Sequence, residues 1–265
     1  MLSVMLNYLF ITLFAAGVFH PYVLPIKVVG SLPIQNDRGV YGVACIADRV
    51  YVVVHDLFKI QVFQNTPPFT ELPSIVTPEL RRPNDMGACK KQNCLYVSDS
   101  NHGCVWKIEL SRCSSAREIT KDWVKVVNPH GLSVAANGWV VIVTRHPNLV
   151  NVYRQDGRLV KEISLSQFEI ENPHQALLTK KGSFIIGSGD DKNEPHKVYS
   201  IVDDKIMVSR KIKERCHPHF YTVPAELNGV ILEGNKDVRP FVRPPTVKCT
   251  IMHRKLTAGP RRSNF

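Results

Sequence analysis

The sequence predicts an all-β protein, a β-propeller of four-stranded antiparallel blades, and three observations support this. A motif recurs along the chain, and its prolines fall 46, 44 and 45 residues apart. Each copy contains alternating apolar runs separated by polar turns, which is the pattern of β-strands. Four strands joined by hairpins occupy about 45 residues, the size of a propeller blade. The recurring segments are Pro83–Met86, Asn128–Leu132, Asn172–Ala176 and His217–Phe220.

A further, earlier copy of the repeat has Gly39 in place of the proline. It is recognised because Val43–Cys45 lies 44 residues before Gly87–Cys89. Five copies are therefore countable, and a five-bladed ring and an incomplete six-bladed ring both stay open. Residues 26–35 are expected to supply an outer strand that closes the ring with the last blade. A β-sandwich also has frequent turns, but it does not explain the constant period.

Two dipeptides predict hairpins inside the third copy. Asn137-Gly138 and Asp156-Gly157 each separate two alternating apolar runs. Both dipeptides tolerate the positive φ angles of primed two-residue turns. The segment Arg117–Val127 is interpreted as the edge strand that ends the second blade rather than as a helix.

The best-formed copy resembles a known family. Leu95–Ile108 is similar to the strand, turn and strand core of an NHL repeat, and Asn128–Val134 is similar to the inner strand that opens the next one. The match is poorest at Gly229–Val238. This resemblance covers about three quarters of the chain and implies a six-bladed propeller.

The chain is predicted to have three parts. Residues 1–24 carry no charged side chain and contain a long apolar run, which indicates a cleaved signal peptide or a single membrane anchor, with an apolar strand as the third interpretation. Residues 25–241 form the propeller. Residues 242–265 are basic and proline-containing, and we expect them to be disordered. The first two interpretations of the amino terminus predict a secreted or membrane-anchored protein.

The net charge of +11 is not spread evenly. Seven of the excess positive charges follow Asp237, where no acidic residue occurs, so the propeller itself is only weakly basic. Propellers of the tripartite-motif NHL type, which the chain resembles more distantly, bind RNA on a basic face. No pattern of aromatic and basic residues recurs here at blade spacing, as single-strand recognition favours. Nucleic acid is therefore an unlikely partner.

Three histidines occupy equivalent places after the motif prolines, namely His130, His174 and His219. The start of an innermost strand lies near the central channel, where three imidazoles can hold Zn²⁺ with one open position. This arrangement resembles the peptidyl-amidating lyase propellers, but the ligands of that family come from well-separated blades. The competing interpretation is structural, and we expect no metal and no cofactor.

The predicted function is noncatalytic recognition of a protein or another macromolecule through blade-connecting loops. Candidate ligand-binding residues are the three histidines and the loop residues Arg145, His146, Asn101 and His102. A metal-dependent lyase or hydrolase is the first alternative, and an RNA-binding propeller is the second. A membrane contact is expected only through the amino-terminal segment, and the oligomeric state is not predicted.

The sequence has seven cysteines, and two of them flank one turn. Cys89 and Cys94 are predicted to close a hairpin as a cross-strand pair, which brings their α-carbons within the range for a disulfide. Two half-buried thiols are the equally weighted alternative.

Overall fold

The structure is a computed structural model that describes residues 28–32, 34, 40–54, 57–110, 117–189, 197–211 and 250–252. The segment predicted as a signal peptide or anchor lies outside the described residues. The fifth copy of the repeat, with Pro218 and His219, also lies outside them.

The described residues form four four-stranded antiparallel sheets and one two-stranded sheet. Within each large sheet the strands lie in chain order, so three hairpins connect them. The strands are β1 Val28–Ser31, β2 Val40–Ile46, β3 Arg49–Val54, β4 Lys59–Gln64, β5 Glu71–Val76, β6 Pro83–Cys89, β7 Cys94–Asp99, β8 Cys104–Leu110, β9 Arg117–Lys125, β10 Pro129–Val134, β11 Val140–Thr144, β12 Leu149–Tyr153, β13 Leu159–Ser164, β14 Pro173–Leu178, β15 Phe184–Ser188, β16 Lys197–Val202, β17 Lys205–Lys211 and β18 Thr250–Met252.

The four large sheets are successive blades that pack face to face. Blade 1 (β2–β5) and blade 2 (β6–β9) share one apolar cluster, which includes Tyr51 and Trp106. Blade 2 and blade 3 (β10–β13) share a second, which includes Tyr96 and Ile142. Blade 3 and blade 4 (β14–β17) share a third. Blades 2 and 3 are thus covered on both faces by their neighbours, and the all-β propeller fold predicted from the period is confirmed.

The motif prolines occupy equivalent sites in three blades. Pro83, Pro129 and Pro173 each begin the first strand of their sheet. Each pairs with the last residue of the second strand and is followed by a register shift. The edge strand predicted for the second blade is also confirmed as β9.

Adjacent first strands lie close together, which the sequence of β10 permits. An ideal Cβ added to Gly131 would lie 2.0 Å from the carbonyl oxygen of His174 on β14. Any side chain at this position would therefore push the two blades apart. Two hydrogen bonds follow from the close approach, from Gln175 Nε2 to the Leu132 carbonyl (2.8 Å) and from Ser133 Oγ to the Ala176 carbonyl (2.6 Å).

The two glycine turns form hairpins as predicted, but the predicted turn type is wrong. Gly138 and Gly157 have φ angles of 86° and 87°, whereas neither preceding residue has a positive φ. Gly138 donates to the Ala135 carbonyl, and Ala135 donates to the Trp139 carbonyl. These are three-residue loops that end in a left-handed glycine, so only the glycine needs the unusual backbone conformation.

A two-stranded sheet lies beside blade 1. β1 pairs antiparallel with β18, and Leu32 and Ile34, which follow β1, pack on the outer face of blade 1. β1 falls inside residues 26–35, which the sequence predicted to close the ring as an outer strand of the last blade. β18, however, lies within residues 242–265, where the sequence predicted a disordered tail. Within the part of the chain that the structure describes, no helix has the length and apolar character needed to cross a membrane.

Candidate functional site

One end of the blades carries both loops that the sequence singled out. Each loop joins the second strand of a blade to the third, so antiparallel topology places both at the same end. The connections from one blade to the next emerge there as well. We call this surface the loop face, and it comprises residues 57–58, 76–82, 99–103, 126–128, 144–148, 165–172 and 189.

Backbone hydrogen bonds hold the loops of three blades in the same way. The amide of Ser100 donates to the Arg82 carbonyl at 3.2 Å. In the same way, the Arg145 amide donates to the Asn128 carbonyl at 3.3 Å, and the Gly189 amide donates to the Asn172 carbonyl at 3.2 Å. Each bond ties a loop to the connection that precedes its own blade. Each of these three bonds joins main-chain atoms only, so it forms whatever side chain the residue carries.

The loop of blade 2 is built around the buried carboxylate of Asp99. This carboxylate accepts the amides of Arg81 (2.9 Å), Arg82 (3.2 Å), Asn101 (3.0 Å) and His102 (3.3 Å), and it contacts His102 Nδ1 at 3.0 Å. Burial alone would raise the pKa of Asp99, but the donors of Arg81, His102 and Arg82 outweigh it and lower the pKa below its ordinary value. Asp99 was not among the predicted site residues, although an Asp at a strand end followed by polar turn residues is a recognisable turn signal.

Several side chains of the loop face are exposed to solvent. Asn101, His102 and His146 are among them, whereas Arg145 is half-buried. Three large apolar side chains are also exposed on this face, Phe58 by 49%, Val76 by 58% and Val127 by 68%. The Arg81 guanidinium lies 5.7 Å from the centre of the Phe58 ring. Exposed apolar groups beside cationic ones are typical of a macromolecular contact surface.

The structure brings two of the three predicted histidines together. His130 and His174 lie on adjacent first strands, with ring centres 5.7 Å apart. Nε2 of His174 lies 2.7 Å from the Gly189 carbonyl oxygen, which only accepts, so this nitrogen carries the proton. Nδ1 then accepts a hydrogen bond from Arg145, whose Nε also donates to the Pro173 carbonyl at 3.0 Å. Arg145 therefore orients His174.

Both ring nitrogens of His174 are thus engaged with other groups. Zinc coordination by this residue requires one of these contacts to break, because a metal takes the lone pair of a ring nitrogen. Among the residues that the structure describes, no three His, Cys, Asp or Glu side chains form a group able to hold a metal ion. The third predicted histidine, His219, lies outside the described residues.

A buried carboxylate between the first strands was missed by the sequence reasoning. Asp85 accepts the amide of Met86 at 2.8 Å and the amide of Leu132, in the next blade, at 2.7 Å. Burial raises the pKa of Asp85 to about 7, against the opposing hydrogen bonds of Leu132, Met86 and Gln175. The neighbouring Asn84 donates to the Pro129 carbonyl at 2.9 Å. These contacts across blades 2, 3 and 4 join residues some 45 apart or more, which no local pattern shows.

The predicted pairing of Cys89 and Cys94 is present in the strand register. The two residues face each other directly at the closed end of the β6–β7 hairpin. Both are thiols in this structure. The disulfide between them therefore stays a prediction.

A cavity of about 330 Å³ opens at the end of the blades opposite the loop face. It lies between the first hairpins of blades 3 and 4, and its walls include Trp139, Phe184 and Lys161. Lys161 also pairs with Asp204 at 3.0 Å. None of the residues proposed from the sequence lines this cavity.

Comparison with known proteins supports the fold alone. No protein-family model and no curated protein sequence matches this chain. Hydrazine synthase from Kuenenia stuttgartiensis superimposes with a TM-score of 0.52 at 12% identity, covering 68% of this chain and 51% of that one. The chain thus spans about half the length of that protein.

Two further solved structures are similar at lower TM-scores. A catalytically inactive virginiamycin B lyase from Staphylococcus aureus with quinupristin has a TM-score of 0.47 at 14% identity, covering 81% of this chain and 75% of that one. A chain of the nidogen/laminin complex has a TM-score of 0.45 at 13% identity, covering 68% and 82%. Identities this low carry no information about activity.

Proposed function

We propose that this protein is a noncatalytic NHL-type propeller that recognises a protein partner through the loop face. The observation that supports this proposal is the set of equivalent backbone hydrogen bonds at Ser100, Arg145 and Gly189, which tie the three loops to the connections before their blades. A preorganised surface loses little conformational entropy on binding. The exposed Phe58, Val76 and Val127 supply apolar area that favours a protein over a nucleic acid.

The roles found for the predicted site residues support recognition over catalysis. His174 is held by Arg145 and the Gly189 carbonyl, and His102 is held by Asp99. These histidines stabilise loops and strand starts, so they act as parts of the scaffold. A metal-dependent lyase or hydrolase needs the same imidazoles as ligands, so it would have to release His174 from one of these contacts.

The proposal includes secretion or membrane tethering, which rests on the apolar residues 1–24 alone. Expression of the full chain in a secretory host separates the two forms. Protein in the medium that begins downstream of this segment indicates a cleaved signal, and protein in the membrane fraction that keeps it indicates an anchor. Protein found only in the cytosol contradicts both.

A matched pair of charge reversals tests the binding surface. Arg82 is exposed on the loop face, and Arg158 is exposed in a turn at the opposite end of blade 3. A partner isolated by cross-linking to the full chain is expected to lose at least tenfold in affinity for Arg82→Glu and to bind Arg158→Glu as it binds the unmodified chain. Equal effects of the two substitutions, or a loss for Arg158→Glu alone, would contradict the assignment of the face.

Metal analysis tests the alternative directly. The purified full chain is expected to contain no stoichiometric zinc, with or without His174→Ala. Stoichiometric zinc that disappears in the His174→Ala variant would overturn the noncatalytic proposal and favour the lyase or hydrolase.

A further inference from the structure

The first hairpin of blade 2 places two sulfur atoms side by side. Cys89 ends β6, Cys94 begins β7, and they are direct partners in the antiparallel register. Directly opposed residues in antiparallel strands have α-carbons about 4.5 or 5.5 Å apart, and a disulfide accepts both separations. The hairpin lies at the end opposite the loop face, so its chemistry is independent of the proposed binding function.

The surroundings shift the pKa values of the two thiols in opposite directions. The Cys94 thiol, the amides of Gln92 and Lys91 and the Lys107 ammonium together lower the pKa of Cys89 to about 6 against the effect of burial. The same hydrogen bond with Cys89, together with burial, raises the pKa of Cys94 above its ordinary value. Cys89 is therefore the sulfur of the pair that its surroundings favour as a thiolate.

Groups from neighbouring elements complete the surroundings of the pair. Gln155, in the β12–β13 turn of blade 3, directs Nε2 to the Cys89 sulfur at 3.5 Å. Tyr96 donates its hydroxyl to Gln92 Oε1 at 3.1 Å, and its ring lies against Trp123 with centres 4.5 Å apart. Lys107 is paired with Glu109 at 3.0 Å.

We propose that Cys89 and Cys94 form a peroxide-reactive dithiol, in which Cys89 is the attacking sulfur and Cys94 the resolving sulfur. The Cys89 thiolate attacks one oxygen of hydrogen peroxide, the O–O bond breaks, and the products are a sulfenic acid and, after protonation of hydroxide, water. The Cys94 sulfur then attacks the Cys89 sulfur, the S–O bond breaks, and the proton of Cys94 leaves with the hydroxyl group as a second water. Two thiols are oxidised to one disulfide, and peroxide is reduced to two waters.

The burial of both sulfurs limits the size of the oxidant that can reach them. Cys89 is 2% exposed and Cys94 is fully buried, so a molecule as small as hydrogen peroxide has an advantage over a bulky disulfide. Reaction with peroxide is therefore expected to be faster than exchange with oxidised glutathione at equal concentration.

Blade 1 supplies an internal control. Cys45 lies 44 residues before Cys89 at the equivalent place, but its cross-strand partner is Val50. Burial raises the pKa of Cys45 to about 11. Cys45 is also more exposed than Cys89. If solvent exposure determines the rate of thiol modification, Cys45 reacts faster. If the fraction of thiolate determines it, Cys89 reacts faster.

The experiment measures both residues in one sample of the full chain. Native protein is labelled with iodoacetamide at pH 7, and the modified peptides are quantified by mass spectrometry. Cys89 is expected to react at least tenfold faster than Cys45, with a rate that rises through pH 6. A second sample receives hydrogen peroxide, is blocked and is cut with trypsin, which cleaves after Lys90 and Lys91 between the two cysteines. The disulfide then joins two peptides, and fragmentation distinguishes Cys94 from Cys104 in the second.

Variants separate the two roles. Cys94→Ser is expected to leave a sulfenic acid on Cys89 that a dimedone probe traps, and Cys89→Ser is expected to leave Cys94 unmodified. Thermal unfolding of each variant checks that it is folded. The proposal is overturned if Cys89 and Cys45 react at equal rates, if Cys89 is inert in the native protein, or if peroxide produces no Cys89–Cys94 disulfide.

Discussion

Replacement of Gly131 by alanine tests the close approach of the first strands of blades 3 and 4. The added Cβ would lie 2.0 Å from the His174 carbonyl oxygen and 2.9 Å from the Gln175 α-carbon. Both atoms belong to the backbone, so no side-chain rotation relieves the overlap. Carbon and oxygen approach to about 3.3 Å in the closest favourable contacts. The strands must therefore separate locally by about 1 Å.

The expected cost follows from this displacement. Overpacking a core costs about 1–3 kcal/mol, and the backbone clash places this variant at the upper end. The two side-chain hydrogen bonds between β10 and β14 add about 1 kcal/mol each if they break. The lower flexibility of unfolded alanine returns less than about 1 kcal/mol. We expect a loss of about 3–4 kcal/mol, which lowers Tm by roughly 10 °C in a chain of this size.

The matched control is Gly182→Ala in the β14–β15 turn. No atom lies within 4 Å of its ideal Cβ, and its φ of 82° gives a cost of about 1–2 kcal/mol from backbone strain alone. Urea and thermal unfolding of both variants measure the difference. If Gly131→Ala is as stable as Gly182→Ala, the two first strands are not in contact as described, and the radial packing of these blades is refuted.

Three further predictions concern single side chains. Because the folded pKa of Asp85 is raised to about 7, its contribution to stability is complete below pH 4 and is lost as pH rises to 7. Urea unfolding between pH 4 and 8 should therefore show a loss of up to about 4 kcal/mol that is missing in Asp85→Asn, and identical profiles would contradict the burial of this charge. Asp99→Ala leaves four part-buried amides without their acceptor and should cost about 3 kcal/mol. Because the pKa of Asp99 is lowered, the stabilisation that the substitution removes should be present at pH 7 and fade as pH falls below about 4. A variant as stable as the unmodified chain at pH 7 in thermal unfolding would show that the loop does not depend on the carboxylate. Arg145→Ala removes the guanidinium contacts to Pro173 and His174 and should cost about 1–2 kcal/mol of stability. An unchanged Tm in thermal unfolding would show that these contacts do not stabilise the fold.

The architecture was predictable because it repeats. A 45-residue period is visible in the sequence, and it places the prolines, the hairpins and the Cys89–Cys94 pairing in register. The turn type was not predictable from the dipeptide, since Asn-Gly fits both a two-residue primed turn and a three-residue loop that ends in glycine. The short strand β18 lies in a proline-containing basic segment, where charge hides the local apolar residues.

The site was predicted less completely because its contacts are not local. Arg145 and His174 are 29 residues apart, and the backbone of β10 and β14 must be positioned before they meet. The sequence identified both residues as candidates but did not show that they bind each other. Asp85 and Asp99 were not predicted as site residues, because a single carboxylate forms no recognisable sequence pattern. In the fold, Asp85 bonds the backbone of the next blade, whereas Asp99 bonds the amides of its own loop and of the preceding connection.

The equivalent hydrogen bonds of Ser100, Arg145 and Gly189 have a consequence for how this surface can vary. Three chemically unrelated residues, a small alcohol, a cation and a glycine, make the same bond because only the main chain takes part. Substitution at Ser100 or at the exposed Asn101 therefore changes the chemistry of the surface without removing these bonds, whereas Arg145 also holds His174. Diversifying Ser100 and Asn101 in a library should yield folded propellers with new specificities far more often than diversifying the strands beneath.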